Sequence, residues 1–434
     1  MTLSLGIDLG TSGIRSAVVD GSGAVLSMAR ANYAPQDPDK VDADIWWNGV
    51  VDCITNQIKA LHEVGLDPMD IARIGIDGTS GSMVLTDANL APVTHALMYN
   101  STGFDAEASA IATHAPDQHI TRGSGSALAR LMHLQSEDTE GRARHMLHQA
   151  DFIAAKLMGQ GGWSDENNSL KTGYDPETKS WPAWAQAAGV RTDLLPDVAP
   201  AGTAIATISH TCAAKLGLSK SVLIHAGTTD SIAAFLACAP LKTGAAVTSL
   251  GTTLAIKLLS HSRIDAPDIG LYSHKLGDDW LVGGASNTGG GVLKNFFSVD
   301  EMGQLSAQID PNTASDLDYY PLLKPGERFP INDPSLPPRL TPRPSSDAVF
   351  FHGLLESIAR IEARCYDIMT ELGAPRPKVI YTAGGGGANQ TWNAIRQRVT
   401  GCSIQTPFET EAAVGVARLV LSQLRPRTER KLIY

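Results

Sequence analysis

The feature that most constrains the fold is a short hairpin pattern that occurs twice along the chain. Asp8–Ile14 joins two apolar runs through the turn Gly10-Thr11-Ser12-Gly13, and Leu250–Leu254 joins two others through Gly251-Thr252-Thr253. A glycine turn between runs rich in β-branched and other apolar residues is typical of a β-hairpin. Two hairpins of the same composition, far apart in the sequence, predict a duplicated fold.

Further apolar runs with the period of strands or helices surround both hairpins. Strands are predicted at Leu3–Ile7, Ile14–Val19, Ala24–Ala29, Ile71–Ile76, Met83–Leu85, Ser221–His225, Ala245–Leu250, Leu254–Leu259 and Lys378–Thr382. Helices are predicted at Asp44–Leu61, with Asp44 as the cap, and at Ser231–Cys238 and Phe350–Glu371. The pattern predicts an α/β chain of two domains, residues 1–228 and 229–434. The proline-rich stretch Pro321–Pro344 is expected to be a surface excursion rather than a linker.

Composition excludes several classes of protein. The chain has 434 residues, of which 43% are apolar, and this is enough to bury more than one core. The net charge of −10 disfavours nucleic-acid and anionic-membrane partners, and no apolar stretch reaches the roughly 18 residues of a membrane span. Five cysteines without a CxxC pair, and an N-terminus without a signal-like charged segment, favour a reduced, cytoplasmic protein. Nothing in the sequence distinguishes a monomer from a homodimer.

The glycine turns are candidate phosphate sites. No P-loop, no GxSxG motif and no GxGxxG motif after a strand occurs in the sequence. Successive backbone N–H groups in a glycine-rich turn can form an anion nest, and threonine hydroxyls add donors. One such turn is more often an ordinary hairpin turn, but two in equivalent places favour a nucleotide phosphate site.

Two carboxylates lie beside these turns. Asp8 directly precedes the first turn, where it would repel a phosphate unless a cation lay between them, so it is a candidate Mg²⁺ ligand; the alternative is a turn cap. Asp230 follows Gly227-Thr228-Thr229 and begins an apolar helix. It is either a general base for an attacked hydroxyl or a helix cap that suits the dipole, and the two roles can coexist.

A run of four glycines, Gly384–Gly387, follows a predicted strand, and Asn389 and Trp392 come next, at the start of a predicted helix. Three residues apart, these two are expected to share one helix face. Glycine lets a backbone approach a flat ring closely, so adenine could pack there. The alternative is a strand-to-helix turn with Trp392 in the core.

A colinear set of motifs runs along the chain in this order: LGIDLGTSGIRSAVVD, DPDKVDADIWWNGV, IGIDGTSGSMVLTD, HAGTTDSIAAF, AVTSLGTT, GGASNTGGG, YPLLKPGERFPINDP, FHGLLESIARIEA, TAGGGGANQTW and TEAAVGVARLV. These motifs resemble those of the FGGY carbohydrate kinases. The resemblance covers almost the whole chain. It implies two ribonuclease-H-like domains of the actin and hexokinase ATPase type, with an interdomain cleft that closes on substrate. It also implies an ATP-dependent and Mg²⁺-dependent kinase of a small hydroxylated sugar.

Transferred to this sequence, the resemblance implies a role for each matching residue. Asp230 is the implied base and Asp8 the implied Mg²⁺ ligand, with Thr11 also in the catalytic set. The implied phosphate contacts are Gly10, Thr11, Ser12, Gly251 and Thr252, and the implied adenosine contacts are Gly384, Gly385, Asn389 and Trp392. Sugar contacts are expected at Ser12, Asp77, Ser80, Tyr99, Asn100 and Asp230, although a residue such as Asp77 could instead cap its own turn.

The acceptor sugar is predicted from the positions at which this chain departs from the motifs of the family. Where glycerol kinases carry an arginine-glutamate pair and bacterial xylulokinases a methionine-histidine pair, this chain has Ser80-Gly81. Its compact length and the motifs IDGTSG and YSHKLG resemble the short cyanobacterial and plant ketose kinases, which implies D-ribulose ahead of D-xylulose. Two other classes stay open: an actin-like or chaperone-like ATPase, and a non-catalytic sugar sensor.

Overall fold

The computed structural model describes residues 1–34 and 41–422, so the first residues of the DPDKVDADIWWNGV motif lie outside the described part. The chain forms two compact units. Unit 1 comprises Met1–Ala237, Lys275–Gly277 and Glu411–Tyr434, and unit 2 comprises Cys238–His274 and Asp278–Thr410. The last segment of the chain thus returns to the first unit. The predicted division at residues 228 and 229 stays a prediction.

The described residues form the following strands and helices. The strands are β1 Leu3–Leu9, β2 Gly13–Val19, β3 Val25–Asn32, β4 Ile71–Gly78, β5 Met83–Thr86, β6 His145–His148, β7 Trp163–Asp165, β8 Asp197–Ala199, β9 Ala204–Thr207, β10 Leu223–His225, β11 Thr228–Thr229, β12 Ala246–Leu250, β13 Leu254–Ser260, β14 Tyr272–Leu276, β15 Asp279–Ser286, β16 Val379–Ala383 and β17 Ser403–Gln405. The α-helices are α1 Ala43–Glu63, α2 Asp105–His114, α3 Ala127–Glu137, α4 Gln149–Met158, α5 Glu166–Leu170, α6 His210–Leu216, α7 Asp230–Cys238, α8 Gly290–Phe296, α9 Val299–Ser306, α10 Asp347–Glu371, α11 Gln390–Thr400 and α12 Ala412–Ser422. No helix within the described ranges is long and apolar enough to cross a membrane.

The main sheet of unit 1 has the order β3-β2-β1-β4-β10-β9, and β11 pairs with the end of β4. The antiparallel meander β1-β2-β3 is joined to β4 in parallel. Two glycines let helix α12 lie directly on the central strands. A methyl group added at Gly6 would come 1.9 Å from the Ala413 carbonyl oxygen, and one at Gly75 would come 2.5 Å from the Val420 side chain. The central strands therefore carry glycine on one face because a helix backbone replaces the side chains there.

The sheet of unit 2 has the order β14-β15-β13-β12-β16-β17. Here too an antiparallel hairpin, β12-β13, is joined to a parallel strand, β16, on its other side. Strands β1-β2-β4 and β12-β13-β16 thus repeat one topology, and both predicted hairpins are present. The predicted duplication is confirmed in the described residues.

Three local predictions need correction. Helix α1 is capped by Asp42, whose side chain accepts from the Asp44 N–H, so Asp44 lies in the first turn and is not the cap. Asn389 precedes α11 and caps it, and it is not on a helix face. The stretch Pro321–Pro344 is not confined to the surface, since Phe329 and Glu327 within it are buried in unit 2. In the first two cases the helix begins one or two residues away from the predicted position, which is a common error at helix ends. In the third, burial depends on contacts with distant segments, which a local sequence pattern does not show.

Candidate active site

Three carboxylates of unit 1 lie at the same edge of its sheet. Asp8 on β1 is directly opposite Asp77 on the parallel strand β4. On the other side of β4, Thr228 on β11 is opposite Asp77, and Asp230 follows two residues later as the first residue of α7. Because parallel strands end at a common edge, Asp77 and Asp230 come close to Asp8 although they lie 69 and 222 positions further along the chain. We call the end of the sheet that carries these three residues the carboxylate edge.

Asp77 has the most unusual environment. Its side chain is fully buried, and neither carboxylate oxygen accepts a hydrogen bond from a donor among the described residues. Burial raises the pKa of Asp77 well above its ordinary value, and the charges of Asp8 and Asp230 raise it further. The carboxyl groups of Asp77 and Asp8 interact directly. Asp77 therefore does not cap its own turn, and its surroundings favour the protonated form of its carboxyl group.

Asp8 is buried but has a cationic neighbour. Arg15 Nη1 lies 3.4 Å from Asp8 Oδ2, and Arg15 Nε lies 3.3 Å from Glu411 Oε2. Burial raises the pKa of Asp8, and Asp77 and Arg15 lower it in part. No backbone N–H of the neighbouring turn donates to Asp8 in the described residues, so the turn-cap alternative does not hold. No sequence pattern points to Arg15, because it is adjacent to Asp8 only across the β1-β2 pair.

Asp230 begins α7, where the Ser231 N–H donates to Asp230 Oδ1 at 2.6 Å. This bond orients the carboxylate within the first turn of the helix, but it is not the bond of an N-cap residue, so the capping alternative stays a prediction. Asp230 is also close enough to Asp77 to raise the pKa of that group.

The first glycine turn is closed by one hairpin bond, from Gly10 N–H to the Gly13 carbonyl at 3.0 Å. Thr11 and Ser12 at its tip are exposed. Their backbone N–H groups donate to no acceptor within residues 1–34 and 41–422. These N–H groups are consequently available to an anion, as the nest prediction requires.

The turn after β4 is held by residues that the sequence analysis did not identify. Gln149 Oε1 accepts from the Thr79 N–H at 2.9 Å and from the Thr79 hydroxyl at 2.7 Å. Ser82 Oγ lies 2.6 Å from Thr79 Oγ1 and accepts from the Tyr99 N–H at 2.9 Å. Ser82 therefore links Thr79, which precedes Ser80 in this turn, to the backbone of Tyr99. Tyr99 is 44% exposed and Asn100 is exposed.

Several buried polar atoms around this turn lack a hydrogen-bond partner among the described residues. They are Asp77 Oδ1 and Oδ2, Ser80 Oγ, Gln149 Nε2, Asn167 Oδ1 and Ser169 Oγ. Asn167 is tied to the carboxylate edge because its Nδ2 donates to Thr228 Oγ1 at 3.2 Å. A buried polar atom without a partner costs about 1–3 kcal/mol. Such a group of atoms indicates a polar ligand, and no local sequence pattern singles out the distant Gln149 and Asn167.

Glu166, at the start of α5, provides a test of the electrostatics of unit 1. Its side chain is buried and accepts from the Ala201 N–H at 3.4 Å. Burial raises its pKa from 4.5 to about 7. The folded state then holds the proton more tightly than the unfolded state, so the free energy of unfolding falls as the pH rises between those two values.

We expect Glu166→Gln to match the wild type below the lower of these values and to be more stable at about pH 8 by up to roughly 3 kcal/mol. Urea unfolding at both pH values measures the difference. Glu63→Gln, on the exposed end of α1, is the control and should change stability little at either pH. Equal stability of wild type and Glu166→Gln at the higher pH would contradict the raised pKa.

The second glycine turn lies in unit 2, between β12 and β13. Glycines from distant segments pack against it: the Gly290 N–H donates to the Gly251 carbonyl at 2.9 Å, and the Gly291 N–H donates to the Thr252 carbonyl at 3.1 Å. Gly384, with φ of +83°, has space for no side chain because a methyl group would come 2.7 Å from the Leu250 carbonyl oxygen. The structure thus brings Gly251, Thr252 and Gly384 together.

Asn389 and Trp392 lie next to this group of glycines, where Asn389 is half-buried and Trp392 is buried. Asn389 Oδ1 accepts from the Trp392 N–H at 2.9 Å, and Asn389 Nδ2 donates to Ser306 Oγ at 2.9 Å. The Trp392 indole is buried and donates to the Leu355 carbonyl at 3.0 Å. A methyl group at Gly386 would come 2.9 Å from this ring. The indole therefore supports the glycine backbone from the core side, and adenosine contact stays a prediction.

The carboxylate edge also fits a magnesium ion. No group of three or more His, Cys, Asp or Glu side chains in the described residues could hold a metal by itself. Asp8 and Asp77 offer two interacting carboxyl groups, and both oxygens of Asp77 are without a donor. Mg²⁺ characteristically takes one or two protein carboxylates and completes its shell with water and substrate phosphates. The donor set suits Mg²⁺ better than zinc.

The repeated β1-β2-β4 and β12-β13-β16 topology, with polar residues at one sheet edge, defines a two-domain α/β fold of the actin and hexokinase ATPase type. Residues 3–237 match the FGGY family of carbohydrate kinases, N-terminal domain, and residues 246–423 match the C-terminal domain of that family. The chain belongs to the FGGY family of carbohydrate kinases, and its activity class is ATP-dependent phosphorylation of a sugar.

Individual relatives are distant but align over nearly their full length. The chain is 23% identical to the xylulose kinase of Escherichia coli (strain K12), covering 99% of this chain and 91% of the relative. It is 22% identical to the autoinducer-2 kinase of Escherichia coli O139:H28, covering 98% and 88%. The crystal structure of xylulose kinase from Rhodospirillum rubrum superposes with a TM-score of 0.83 at 18% identity, covering 96% of this chain and 89% of that chain. The structural likeness confirms the predicted fold.

Proposed function

We propose that this kinase transfers the γ-phosphoryl group of ATP to the terminal hydroxyl of an open-chain ketopentose. The observation that carries the proposal is the carboxylate edge of unit 1. There Asp8, Asp77 and Asp230 converge on neighbouring strand ends, and the Asp77 oxygens have no donor in the described residues. Repelling carboxylates at one place are typical of a site that binds a cation and moves a proton.

D-xylulose is the first acceptor to test. Xylulose kinases are among the relatives that align over nearly the whole chain, whereas the comparisons give no support to the D-ribulose preference predicted from the sequence. D-ribulose stays as the second acceptor, because Ser80-Gly81 replaces the methionine-histidine pair that the resemblance associates with bacterial xylulokinases. The two sugars differ in the configuration of one hydroxyl, so the short polar side chains near Ser80 would decide between them.

The proposed roles follow from position. Asp230, oriented by the Ser231 N–H, accepts the proton of the attacking hydroxyl. The free N–H groups of Thr11 and Ser12 bind phosphate oxygens, and Asp8 and Asp77 would hold Mg²⁺. When bound, the ion would neutralise charge on the transferred phosphoryl group. Because this transition state is loose, positioning and electrostatics supply most of the acceleration.

The polar atoms without partners are proposed to bind the acceptor. Hydroxyl groups both donate and accept, so one polyol can satisfy the Gln149 Nε2 donor and the Asn167 Oδ1 acceptor. For the nucleotide, we propose that Gly251 and Thr252 contact phosphate and that Gly384, Gly385 and Asn389 contact adenosine. Trp392 would act by supporting Gly386 from the core. Unit 1 is therefore the proposed sugar side and unit 2 the proposed nucleotide side.

A coupled ADP-release screen tests the proposed acceptor. The purified chain is given MgATP with D-xylulose, D-ribulose, L-ribulose, ribitol, D-gluconate and glycerol in turn. We expect kcat/KM for one ketopentose to exceed that for glycerol by about 100-fold or more, since a site built to bind several hydroxyls rejects a substrate that lacks them. Equal rates with and without every ketopentose would reject the proposal.

A further inference from the structure

Arg130 on helix α3 is a buried cation whose partners are all neutral. The side chain is 3% exposed. No carboxylate of residues 1–34 and 41–422 forms an ion pair with it, and burial lowers its pKa to about 10. Burying a charge without a counter-charge is costly. Arg130 Nε has no hydrogen-bond partner among the described residues, so the guanidinium depends on the contacts of its two terminal nitrogens.

Those contacts join three separate segments of unit 1. Nη1 donates to the Gly81 carbonyl at 3.2 Å, and Nη2 donates to the Gly125 carbonyl at 2.8 Å and also to the Tyr99 carbonyl. Gly81 follows Ser80 in the turn after β4, and Tyr99 precedes Asn100. One planar group thus connects two of the segments that carry predicted sugar contacts, the turn of Ser80 and the segment Tyr99-Asn100.

The guanidinium also takes the place of a side chain at position 81. Gly81 has φ of +88°, and a methyl group built there would come 3.0 Å from Arg130 Nη1. The Ser82 hydroxyl supplies a second link, because it accepts from the Tyr99 N–H at 2.9 Å. The turn and the Tyr99 segment are therefore fixed to each other by Arg130 on one side and Ser82 on the other.

We propose that Arg130 is the positioning residue of the acceptor site, which sets Ser80 against the Tyr99-Asn100 segment and so determines affinity and selectivity for the sugar. This inference rests on the proposed function. The guanidinium has a planar fork of donors that reaches three carbonyls at once. Lysine keeps the charge but has one nitrogen on a flexible stem, so it cannot hold the same three carbonyls in one plane.

The test compares Arg130→Lys with a matched control, Arg191→Lys. Arg191 also lies in unit 1 and donates to a loop carbonyl, that of Ala143 at 3.2 Å, but it contacts neither Gly81 nor Tyr99. Titration calorimetry gives the Kd of D-xylulose and of D-ribulose without ATP, and initial rates give KM for the sugar and for ATP. Thermal melting shows whether each variant is folded.

We expect Arg130→Lys to raise the sugar Kd and KM about 10- to 100-fold, to change the preference between the two ketoses, and to leave KM for ATP within about twofold. Arg191→Lys should leave all of these unchanged. Arg130→Met serves as a second variant that removes the charge, and it should raise the sugar Kd at least as much as Arg130→Lys does.

The outcomes separate this inference from the proposed function. Sugar constants that stay within about twofold of wild type in folded Arg130→Lys overturn the inference, even if the wild type phosphorylates the sugar. A wild type that binds ketose without transferring phosphate rejects the proposed function, while the Kd values still decide the role of Arg130. A wild type that binds neither ketose rejects both.

Discussion

Asp230→Asn is expected to lower kcat for the preferred ketopentose by about 10²–10⁴-fold, because the amide cannot accept the proton of the attacking hydroxyl. Asparagine has the same shape and still accepts the Ser231 N–H through its oxygen, so the start of α7 keeps this contact. ATP affinity should stay within about twofold, since no nucleotide contact is assigned to this residue. Single-turnover phosphoryl transfer and equilibrium ATP binding measure the two quantities.

Asp20→Asn is a useful control for this variant. Asp20 lies in the β2-β3 turn, where its side chain accepts from the Ser22 and Ala24 N–H groups, far along the strand from the carboxylate edge. It should keep full kcat. If Asp230→Asn retains kcat within about tenfold of wild type, Asp230 is not the base. If it loses ATP binding and kcat together, its role is structural.

Asp8→Asn is expected to lower kcat by about 100-fold or more and to raise the Mg²⁺ concentration needed for half-maximal rate. The variant removes one of the two carboxylates proposed to hold the ion. It also removes a neighbouring negative charge that raises the pKa of Asp77. Asp77 then ionises more readily, and the free energy of unfolding above neutral pH should stay the same or rise despite the loss of activity.

Rates measured across a Mg²⁺ titration, together with urea unfolding at about pH 8, test both parts of this prediction. A general loss of structure would lower both kcat and the free energy of unfolding, whereas here kcat falls and the free energy of unfolding does not. An unchanged Mg²⁺ requirement with a lowered kcat would show that Asp8 does not hold the ion. A large loss of stability would show that the Arg15 contact matters more than the repulsion between Asp8 and Asp77.

Much of the architecture follows from local patterns. The two hairpins, the strand of Ile71–Ile76 and the long helix near Phe350–Glu371 were predicted because their apolar spacing is regular over several residues. The structure extends most of them by one to three residues, as in β1 and β4. Both extended strands now include the carboxylates Asp8 and Asp77, which the predicted strands had left outside.

Candidate site residues can be predicted from the sequence only where a polar or charged side chain lies at the end of a predicted strand. Asp8 and Asp77 lie one residue before the ends of β1 and β4, and Asp230 directly follows β11, so a local pattern can point to all three. Gln149, Asn167 and Arg130 come from helices or helix starts elsewhere in the chain, and only the folded packing shows their unsatisfied or shared polar atoms. Trp392 shows the opposite case, because an aromatic residue next to a glycine run is buried beneath it rather than exposed.

The sugar that the kinase prefers is harder to predict from the sequence than the type of reaction. Ser80 and Gly81 differ from the residue pairs of the family's glycerol kinases and xylulokinases, but the D-ribulose preference predicted from them has no support in the comparisons. In our proposal their effect depends on the positions that Arg130 and Ser82 give them. Distances of a few tenths of an ångström between hydroxyl partners decide between epimeric sugars. These distances arise from three segments that are not adjacent in the sequence.

The most direct test of the central claim follows the γ-phosphoryl group itself. Wild-type protein and Asp230→Asn are incubated with γ-labelled ATP, Mg²⁺ and the preferred ketopentose, and labelled sugar phosphate, labelled inorganic phosphate and ADP are quantified. The account predicts one labelled sugar phosphate for each ADP in the wild type, with both products nearly abolished in the variant. ADP formed with labelled inorganic phosphate alone, at a rate independent of sugar, would contradict it and identify an ATPase.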